Sequence, residues 1–200
     1  MSSFSLIESL ITSGVLKTFS LIDAFRNVDR IDFVPQELHS MAYEDRPLPI
    51  GSAQTISQPY TVAFMLELLQ PEPEDHIMDL GSGSGWTTAL LASVCEHVDA
   101  VERQVSLIEF SKKNLSKYAF KNISLHRAQK TLGLKGKHFD KILVSCAADD
   151  IPQSLVEQLR PEGVMVIPVK NSILKVTKTV TGSLEIEEYP GFVFVPLIED

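Results

Sequence analysis

The strongest constraint on the fold is an alternation of short apolar runs with helical segments that begins at His76. Each run has the length and composition of a buried strand, and most runs are followed by a stretch of helical periodicity. The alternation predicts an α/β fold with a mostly parallel sheet and helices on both faces. The predicted strands cover 77–80, 98–102, 123–126, 142–146 and 163–169, and the predicted helices cover 86–94, 106–118 and 151–159.

The sequence pattern of the N-terminal part of the chain predicts two helices. The second is expected to begin after Ser20 and to end at 33–35, since proline cannot continue a helix. Apolar residues recur at helical spacing and should face the core. They are Leu6, Ile7, Leu10 and Ile11 in the first helix and Leu21, Ala24 and Phe25 in the second.

Between residues 42 and 59, three prolines and a glycine interrupt any periodicity, so an irregular loop is predicted there. A loop of this length is uncommon in a compact domain and usually carries function. A helical pattern returns over 61–69. Near the end of the chain, 173–180 and 192–197 read as strands with no helix between them, which predicts antiparallel pairing.

The length and the net charge of the chain limit the number of domains and the kinds of partner that we expect. Two hundred residues suit one domain, and the net charge of −8 disfavours a nucleic-acid partner. Cys95 and Cys146 lack a CxxC partner, which indicates reduced thiols and a cytoplasmic protein. No signal peptide, no run of about 18 apolar residues and no metal-ligand spacing is evident. We therefore expect no membrane, no metal and a monomer.

A glycine-rich turn joins the first predicted strand of the alternation to its helix. Asp79 precedes Gly81, Ser82, Gly83 and Gly85, and the spacing is G-x-G-x-G rather than the G-x-G-x-x-G of nicotinamide sites. The helix N-terminus favours an anionic group, while an acidic side chain would repel a pyrophosphate. S-adenosylmethionine fits this combination, because it has no phosphate but carries an ammonium, a sulfonium and a carboxylate. A purely structural turn is the alternative.

Two residues at later strand ends, like the glycine turn, have both a functional and a purely structural interpretation. Glu102 lies 21 residues after Gly81, where an acidic side chain can accept hydrogen bonds from both hydroxyls of a ribose. Alternatively it is a surface residue beside Arg103. Cys146 could be a nucleophile, but no Lys or His lies near it in sequence to lower its pKa. A buried structural cysteine is the favoured interpretation.

The proline-rich loop points to a family. The stretch AYEDRPLPIG over 42–51, followed by QTISQP over 54–59, closely resembles the protein-L-isoaspartate O-methyltransferase family. That family uses S-adenosylmethionine to repair damaged aspartyl and asparaginyl sites. The resemblance extends over nearly the whole chain. Other matching segments are 23–26, 33–35, 79–85, 101–103, 139–140, 142–147, 151–152, 160–163, 166–168 and 194–197.

The resemblance implies roles for particular residues. Ser57 matches the active-site serine of the family, and Gln54, Thr55, Ile56 and Ser57 would cover the cofactor and contact the substrate carboxylate. Gln129 aligns with an aspartate that accepts a hydrogen bond from the adenine amino group. Four positions depart from glycines usual in the family. They are Ala53, Ala128, Lys130 and Lys170.

The resemblance also implies an activity and an organisation. The activity is S-adenosylmethionine-dependent methylation of the α-carboxylate of isoaspartyl residues, which yields S-adenosylhomocysteine and starts repair through a succinimide. The fold would be the Rossmann-like sheet of such methyltransferases, in a single domain over 1–200. Within it, 1–70 would hold the N-terminal helices and lid loop, 71–170 the cofactor-binding core and 171–200 antiparallel strands.

Two other functions stay open at this stage. A cofactor-binding relative with weak or no catalysis would explain the altered turn at 128–130. A methyltransferase acting on RNA or a small molecule would share the glycine turn, but no motif for such a substrate is present and the charge is unfavourable for RNA.

Overall fold

The computed structural model of the chain describes residues 2–197. Helices α1 (Ser3–Thr12) and α2 (Phe19–Asn27) lead into two short 3-10 turns, Arg30–Phe33 and Gln36–Met41. The predicted apolar faces are confirmed, and Ile11, although only half-buried, also packs against the core. The second helix ends earlier than predicted, because the chain leaves the helical conformation at Val28 and a separate 3-10 turn continues to Phe33.

The stretch from 42 to 59 is not wholly irregular, and the prediction of a loop there is wrong in part. Strands β1 (Leu48–Gly51) and β2 (Gln54–Ile56) pair as an antiparallel hairpin. Ser52 and Ala53 form its turn with φ angles of 52° and 56°. Strands of three and four residues are too short to show a periodicity, and Pro49 is tolerated because the two-stranded ribbon consists only of edges.

The remainder of the chain builds one seven-stranded sheet in the order β5-β4-β3-β6-β7-β8-β9. Strands β5, β4, β3, β6 and β7 are parallel, and β8 and β9 continue the sheet in antiparallel pairs. The predicted fold class is therefore confirmed. The elements are α3 (Pro59–Leu69), β3 (His76–Leu80), α4 (Trp86–Ala92), β4 (His97–Glu102), α5 (Val105–Leu115), β5 (Ile123–Arg127), β6 (Phe139–Val144), α6 (Gln153–Gln158), β7 (Leu159–Val169), β8 (Ser172–Lys178) and β9 (Leu184–Pro190).

The last strand lies elsewhere than predicted. Strand β9 covers Leu184–Pro190, whereas 192–197 contributes only an isolated bridge between Ala147 and Pro196. Most side chains of β9 are exposed and three are glutamates, so its sequence lacks the apolar alternation of a half-buried strand. It is held by backbone pairing to β8 at the sheet edge. The apolar 192–197 segment instead crosses the carboxyl ends of the strands.

The two faces of the sheet are covered unequally. Alternate strand residues divide between two clusters, with Ile77 and Leu143 in one and Met78 and Ile142 in the other. The first cluster contains buried residues of α1 to α5, whereas the second contains those of α6. Among the described helices, none is long and apolar enough to cross a membrane.

Candidate active site

A cavity opens where the parallel strands β3, β4 and β6 end. Its wall combines the glycine turn after β3, Glu102 at the end of β4, residues Ser145 and Cys146 after β6, and the segment 128–133. Strand β2 and Ser57 of the hairpin line another side, and 195–197 completes the wall. Ligands of open α/β sheets bind at this edge, where neighbouring connections diverge.

The glycine turn is shaped to bring backbone close to a ligand. Gly81 and Gly83 have φ angles of 81° and 55°, which side chains rarely adopt. The Gly81 amide donates to the Val101 carbonyl at 2.8 Å and so ties the turn to β4. A β-carbon at Gly83 would lie 3.3 Å from Cδ1 of Ile50, so the hairpin packs directly on the turn.

Glu102 is held rigidly beside this turn. One carboxylate oxygen accepts a hydrogen bond from the Gly83 amide at 2.9 Å, and the other accepts from the amides of Arg103 and Gln104 at 2.8 Å. The residue is 8% exposed and lines the cavity. A carboxylate has about four acceptor positions, so these three backbone donors leave room for a further hydrogen bond.

Asp79 lies beneath the turn rather than on the cavity wall. Its Oδ2 accepts from the hydroxyls of Thr87 and Thr88 at 2.9 and 2.6 Å, while Oδ1 has no partner among the described residues. Burial, with a smaller contribution from Glu102, raises the pKa of Asp79 to about 6. A buried carboxylate with an unpaired oxygen favours a nearby cation or donor, which fits the predicted role without direct cavity contact.

Gly85, the other predicted residue off the cavity wall, serves packing. It precedes α4 with a φ of 92°, and a β-carbon there would lie 3.1 Å from Cβ of Ser111. Helix α5 can therefore approach the start of α4 closely. The remaining predicted residues line the cavity. They are Gln54, Thr55, Ile56, Ser57, Gly81, Ser82, Gly83, Glu102 and Gln129.

Ser57 occupies the junction of two cavities. A second, adjoining cavity is bordered by Pro47, Thr61 and the segment 193–195, and it shares Thr55, Ser57, Ser145 and Val195 with the first. Within residues 2–197, no hydrogen bond engages the Ser57 hydroxyl. The serine is therefore free to meet a group that enters from the second cavity and reaches into the first.

Cys146 lies on the wall but is not activated. It is 8% exposed, and burial, followed by the charges of Glu102 and Asp79, raises the pKa of its thiol to about 12. A neutral thiol is a poor nucleophile, in agreement with the structural interpretation. Among the described residues, no group of three or more His, Cys, Asp or Glu side chains is arranged to hold a metal ion.

The segment 128–133 tolerates its departures from glycine. Gly133 keeps a left-handed φ of 74°, whereas Ala128 and Lys130 are not among the residues with positive φ. Ala53 and Lys170, in contrast, do have positive φ angles of 56° and 53°. Gln129 is exposed on the cavity side and leaves its amide available.

The sequence reasoning missed two buried polar residues that shape the site. Gln158 of α6 bonds the backbone of 132–134, and Arg30 bonds the backbone around the hairpin. Both belong to segments distant in sequence from the backbone groups that they bond. Neighbouring polar residues such as Asp29 and Glu157 leave no sequence signal that marks either one as buried.

The wall also contains unpaired donors that suit an anionic ligand group. The hydroxyl of Ser82 and the indole N–H of Trp86 are buried and have no partner among the described residues. Buried donors are normally satisfied, so a ligand acceptor is expected near them. A carboxylate near these donors, a ribose at Glu102 and a cation near Asp79 together match the chemistry of S-adenosylmethionine.

Comparison with known proteins gives consistent matches. The family model for protein-L-isoaspartate(D-aspartate) O-methyltransferase matches residues 1–200. Protein-L-isoaspartate O-methyltransferase of Petrotoga mobilis is 41% identical over 184 residues, which is 89% of this chain and 86% of the relative. The Pyrococcus horikoshii protein of the same name is 38% identical over 199 residues, which is 96% of this chain and 90% of the relative.

Solved structures show the same fold. A Plasmodium falciparum structure, described as a protein-L-isoaspartate O-methyltransferase in complex with S-adenosyl-L-homocysteine, aligns with a TM-score of 0.84 at 24% identity and covers 98% of both chains. Another, described by the same enzyme name, aligns with a TM-score of 0.86 at 21% identity and covers 98% of this chain and 66% of that one.

Proposed function

The chain belongs to the protein-L-isoaspartate(D-aspartate) O-methyltransferase family, and from this premise we propose that its cavity pair is where methyl transfer to isoaspartyl residues takes place. The activity is the S-adenosylmethionine-dependent methylation of isoaspartyl α-carboxylates in damaged proteins and peptides. One observation supports the site most directly. Ser57 lies where the cavity lined by the glycine turn meets the cavity lined by 193–195.

Different residues of the first cavity bind different groups of the cofactor. Glu102 has an acceptor position open toward the ribose hydroxyls, and Gln129 offers a carbonyl to the adenine amino group. The Ser82 hydroxyl is an unpaired buried donor for the carboxylate. The charge of Asp79, which is buried beneath the glycine turn and off the cavity wall, favours the ammonium at a distance. When bound, S-adenosylmethionine supplies an electrophilic methyl carbon attached to a sulfonium.

The chain needs no general base for this reaction. An α-carboxylate has a pKa of roughly 3.3–3.7, so the substrate oxygen is already ionised at neutral pH. The Ser57 hydroxyl donates a hydrogen bond to one carboxylate oxygen and so turns the other toward the methyl group. The hairpin covers the glycine turn through Ile50 and excludes water from the reacting atoms. Orientation of this kind can supply on the order of 7–11 kcal/mol.

Repair follows from the chemistry of the ester. Methylation converts the unreactive carboxylate into an ester whose methoxy group can leave. The neighbouring amide nitrogen therefore attacks the ester carbonyl carbon, closes a succinimide and releases methanol. Water then opens the succinimide partly to normal aspartate. The enzyme therefore has only to form the ester, which agrees with a site that contains no activated nucleophile of its own.

Further properties are part of the same proposal. We propose a single domain over 1–200 with the three parts expected above, a monomeric state and no nucleic-acid partner. A net charge of −8 supports the last of these. We also propose a cytoplasmic location, supported by two buried, unpaired cysteines.

Two peptides test the activity directly. The purified protein is incubated with radiolabelled S-adenosylmethionine and peptides that differ only in one isoaspartyl or normal aspartyl residue. Label on the isoaspartyl peptide alone is expected. Label on neither peptide, with cofactor binding intact by calorimetry, would favour the non-catalytic relative, and label on an RNA or small molecule alone would favour another methyltransferase class.

A Ser57→Ala variant tests the site. The methylation rate is expected to fall by about 10–100-fold, since one hydrogen bond to a charged group is lost, while the cofactor dissociation constant changes little. Ser183→Ala, in the exposed turn before β9, is the matched control. A rate for Ser57→Ala equal to that of the control would remove Ser57 from the mechanism.

A further inference from the structure

Arg30 is a buried arginine whose guanidinium bonds only backbone carbonyls. It lies on the first 3-10 turn and is 2% exposed. Nη1 donates to the carbonyls of Ala42 and Glu44 at 2.7 and 3.1 Å, and Nη2 donates to those of Arg46 and Ser57 at 2.9 and 3.0 Å. The guanidinium therefore collects four carbonyls from two separate segments.

Those segments are the two ends of the hairpin. The carbonyls of 42–46 precede β1, and Ser57 directly follows β2. One guanidinium thus joins the start of the hairpin to its exit at the residue that we place against the substrate. Arg30 lines neither cavity, so it touches neither the cofactor nor the substrate site.

We propose that Arg30 is a positioning residue for methyl transfer, which clamps the base of the β1–β2 hairpin and thereby orients Ser57 toward the junction of the two cavities. The inference rests on the proposed function of Ser57. On this proposal, the 3-10 turn that contains Arg30 contributes to catalysis. Its packing and its position in the fold would not by themselves require that role.

The chemistry of the clamp favours arginine at this place. Burial lowers the pKa of Arg30 to about 10, against a smaller opposing effect of Asp45, so the side chain stays charged at neutral pH. No described carboxylate lies within ion-pair distance of it, and it faces the Trp86 ring at 5.3 Å. A charged planar fork can bond carbonyls in several directions at once, which a lysine ammonium on a single stem does less well.

Other contacts hold the rest of the hairpin, so loss of the clamp should act locally. At the tip, the hydroxyls of Ser52 and Ser106 lie 2.9 Å apart. On the outer flank, Asp45 accepts a hydrogen bond from the Tyr60 amide at 2.8 Å and so caps α3. At the base, Asp45 also accepts a hydrogen bond from the Gln58 side chain at 3.3 Å, but it is Arg30 that bonds the Ser57 carbonyl itself. A shift of about 1 Å at a reacting group can cost roughly 100-fold in rate.

The test compares the Arg30→Lys and Arg30→Met variants with a control, Arg26→Met. Arg26 is a half-exposed arginine of α2 that forms an ion pair with Glu8 at 3.6 Å. For both Arg30 variants, kcat/KM for the isoaspartyl peptide is expected to fall by about 10–100-fold, with the smaller loss in Arg30→Lys. The cofactor dissociation constant should stay within about threefold, because Arg30 bonds none of Glu102, Gln129 and Ser82, the residues that we place against the cofactor. A parallel loss of cofactor binding would overturn the proposal.

A double-mutant cycle with Ser57→Ala separates positioning from general support. If Arg30 acts through Ser57, Arg30→Lys should lower kcat/KM little further once the hydroxyl is absent, whereas additive losses would contradict the clamp.

Hydrogen exchange provides a readout that does not depend on activity. Amides of 42–58 should exchange faster in Arg30→Lys while those of 76–102 do not, and unchanged exchange over 42–58 would also contradict it. A wild-type protein without activity on the peptide would refute the proposed function alone.

Discussion

Gln158 lies directly against Gly133, on the wall of the cavity nearest the end of β5. Its Oε1 accepts a hydrogen bond from the Leu134 amide at 2.7 Å, and its Nε2 donates to the Leu132 carbonyl at 2.9 Å. A β-carbon at position 133 would come within 2.3 Å of Oε1. The absence of a side chain at Gly133 is therefore what allows α6 to hold this wall.

Gly133→Ala should weaken cofactor binding. The added methyl group displaces Gln158 and also strains a φ of 74°, so a rise of about tenfold in the cofactor dissociation constant is expected by calorimetry. Gly136→Ala is the control, because Gly136 has a similar φ of 84° but open space around it. In the Gln158→Ala background, the effect of Gly133→Ala should shrink. Equal effects in both backgrounds would mean that the contact is irrelevant.

Glu102→Gln should reduce both stability and cofactor affinity. In the variant, an NH2 group replaces one of the two carboxylate oxygens. Together these oxygens accept hydrogen bonds from the amides of Gly83, Arg103 and Gln104. An unsatisfied buried donor costs about 1–3 kcal/mol, to be measured by urea unfolding of the unliganded protein. Glu109→Gln, on the exposed face of α5, is the control. Unaltered cofactor affinity would argue against the ribose at Glu102.

Asp79→Asn should flatten the pH dependence of stability. The pKa of Asp79 is about 6 in the folded chain against 3.8 for the free side chain, so the folded state binds the proton more tightly. Its contribution is therefore present below about pH 4 and is lost as the pH rises through about 6, by up to about 3 kcal/mol. Urea unfolding from pH 4 to 7 should show wild type losing stability relative to the variant.

Asp140→Asn is the control for that experiment, because the predicted sign is opposite. Burial raises the pKa of Asp140, but hydrogen bonds from Arg160 and from the His76 amide outweigh it and hold the pKa below its usual value. Wild type should therefore gain stability relative to Asp140→Asn as the pH rises toward the unfolded pKa of 3.8, so this comparison is extended below pH 4. Parallel curves for wild type and Asp79→Asn would show that Asp79 is not perturbed in this way.

Lys170→Gly should stabilise the protein. Lys170 is exposed, has a φ of 53° in the turn between β7 and β8, and stands where the family resemblance implies a glycine. Left-handed backbone costs a side chain roughly 1–2 kcal/mol, of which the greater entropy of an unfolded glycine cancels about 0.4–1. A rise of about 1–4 °C in the melting temperature is expected. Lys135→Gly, an exposed turn lysine without positive φ, should not raise it.

Local patterns in the sequence determined most of the fold. The apolar periodicities of α1, β3 and β6 predicted which faces are buried, since period and burial are properties of a few neighbouring residues. The glycine spacing at 81–85 likewise predicted a turn at the end of a strand, because positive φ angles are a local demand of the backbone. Glu102 and Ser57 both line the first cavity, and the roles that the strand alternation and the family resemblance assign to them stay predictions.

Only the tertiary structure decided how distant segments complete the site. Strand β9 forms because β8 offers an edge, although its own residues are mostly exposed. Arg30 and Gln158 act through carbonyls and amides that lie 12 to 27 and 24 to 26 residues away in sequence, at places that no periodicity marks. A buried polar side chain takes its partner from whatever the packed fold places beside it, so its role emerges only once the chain has folded.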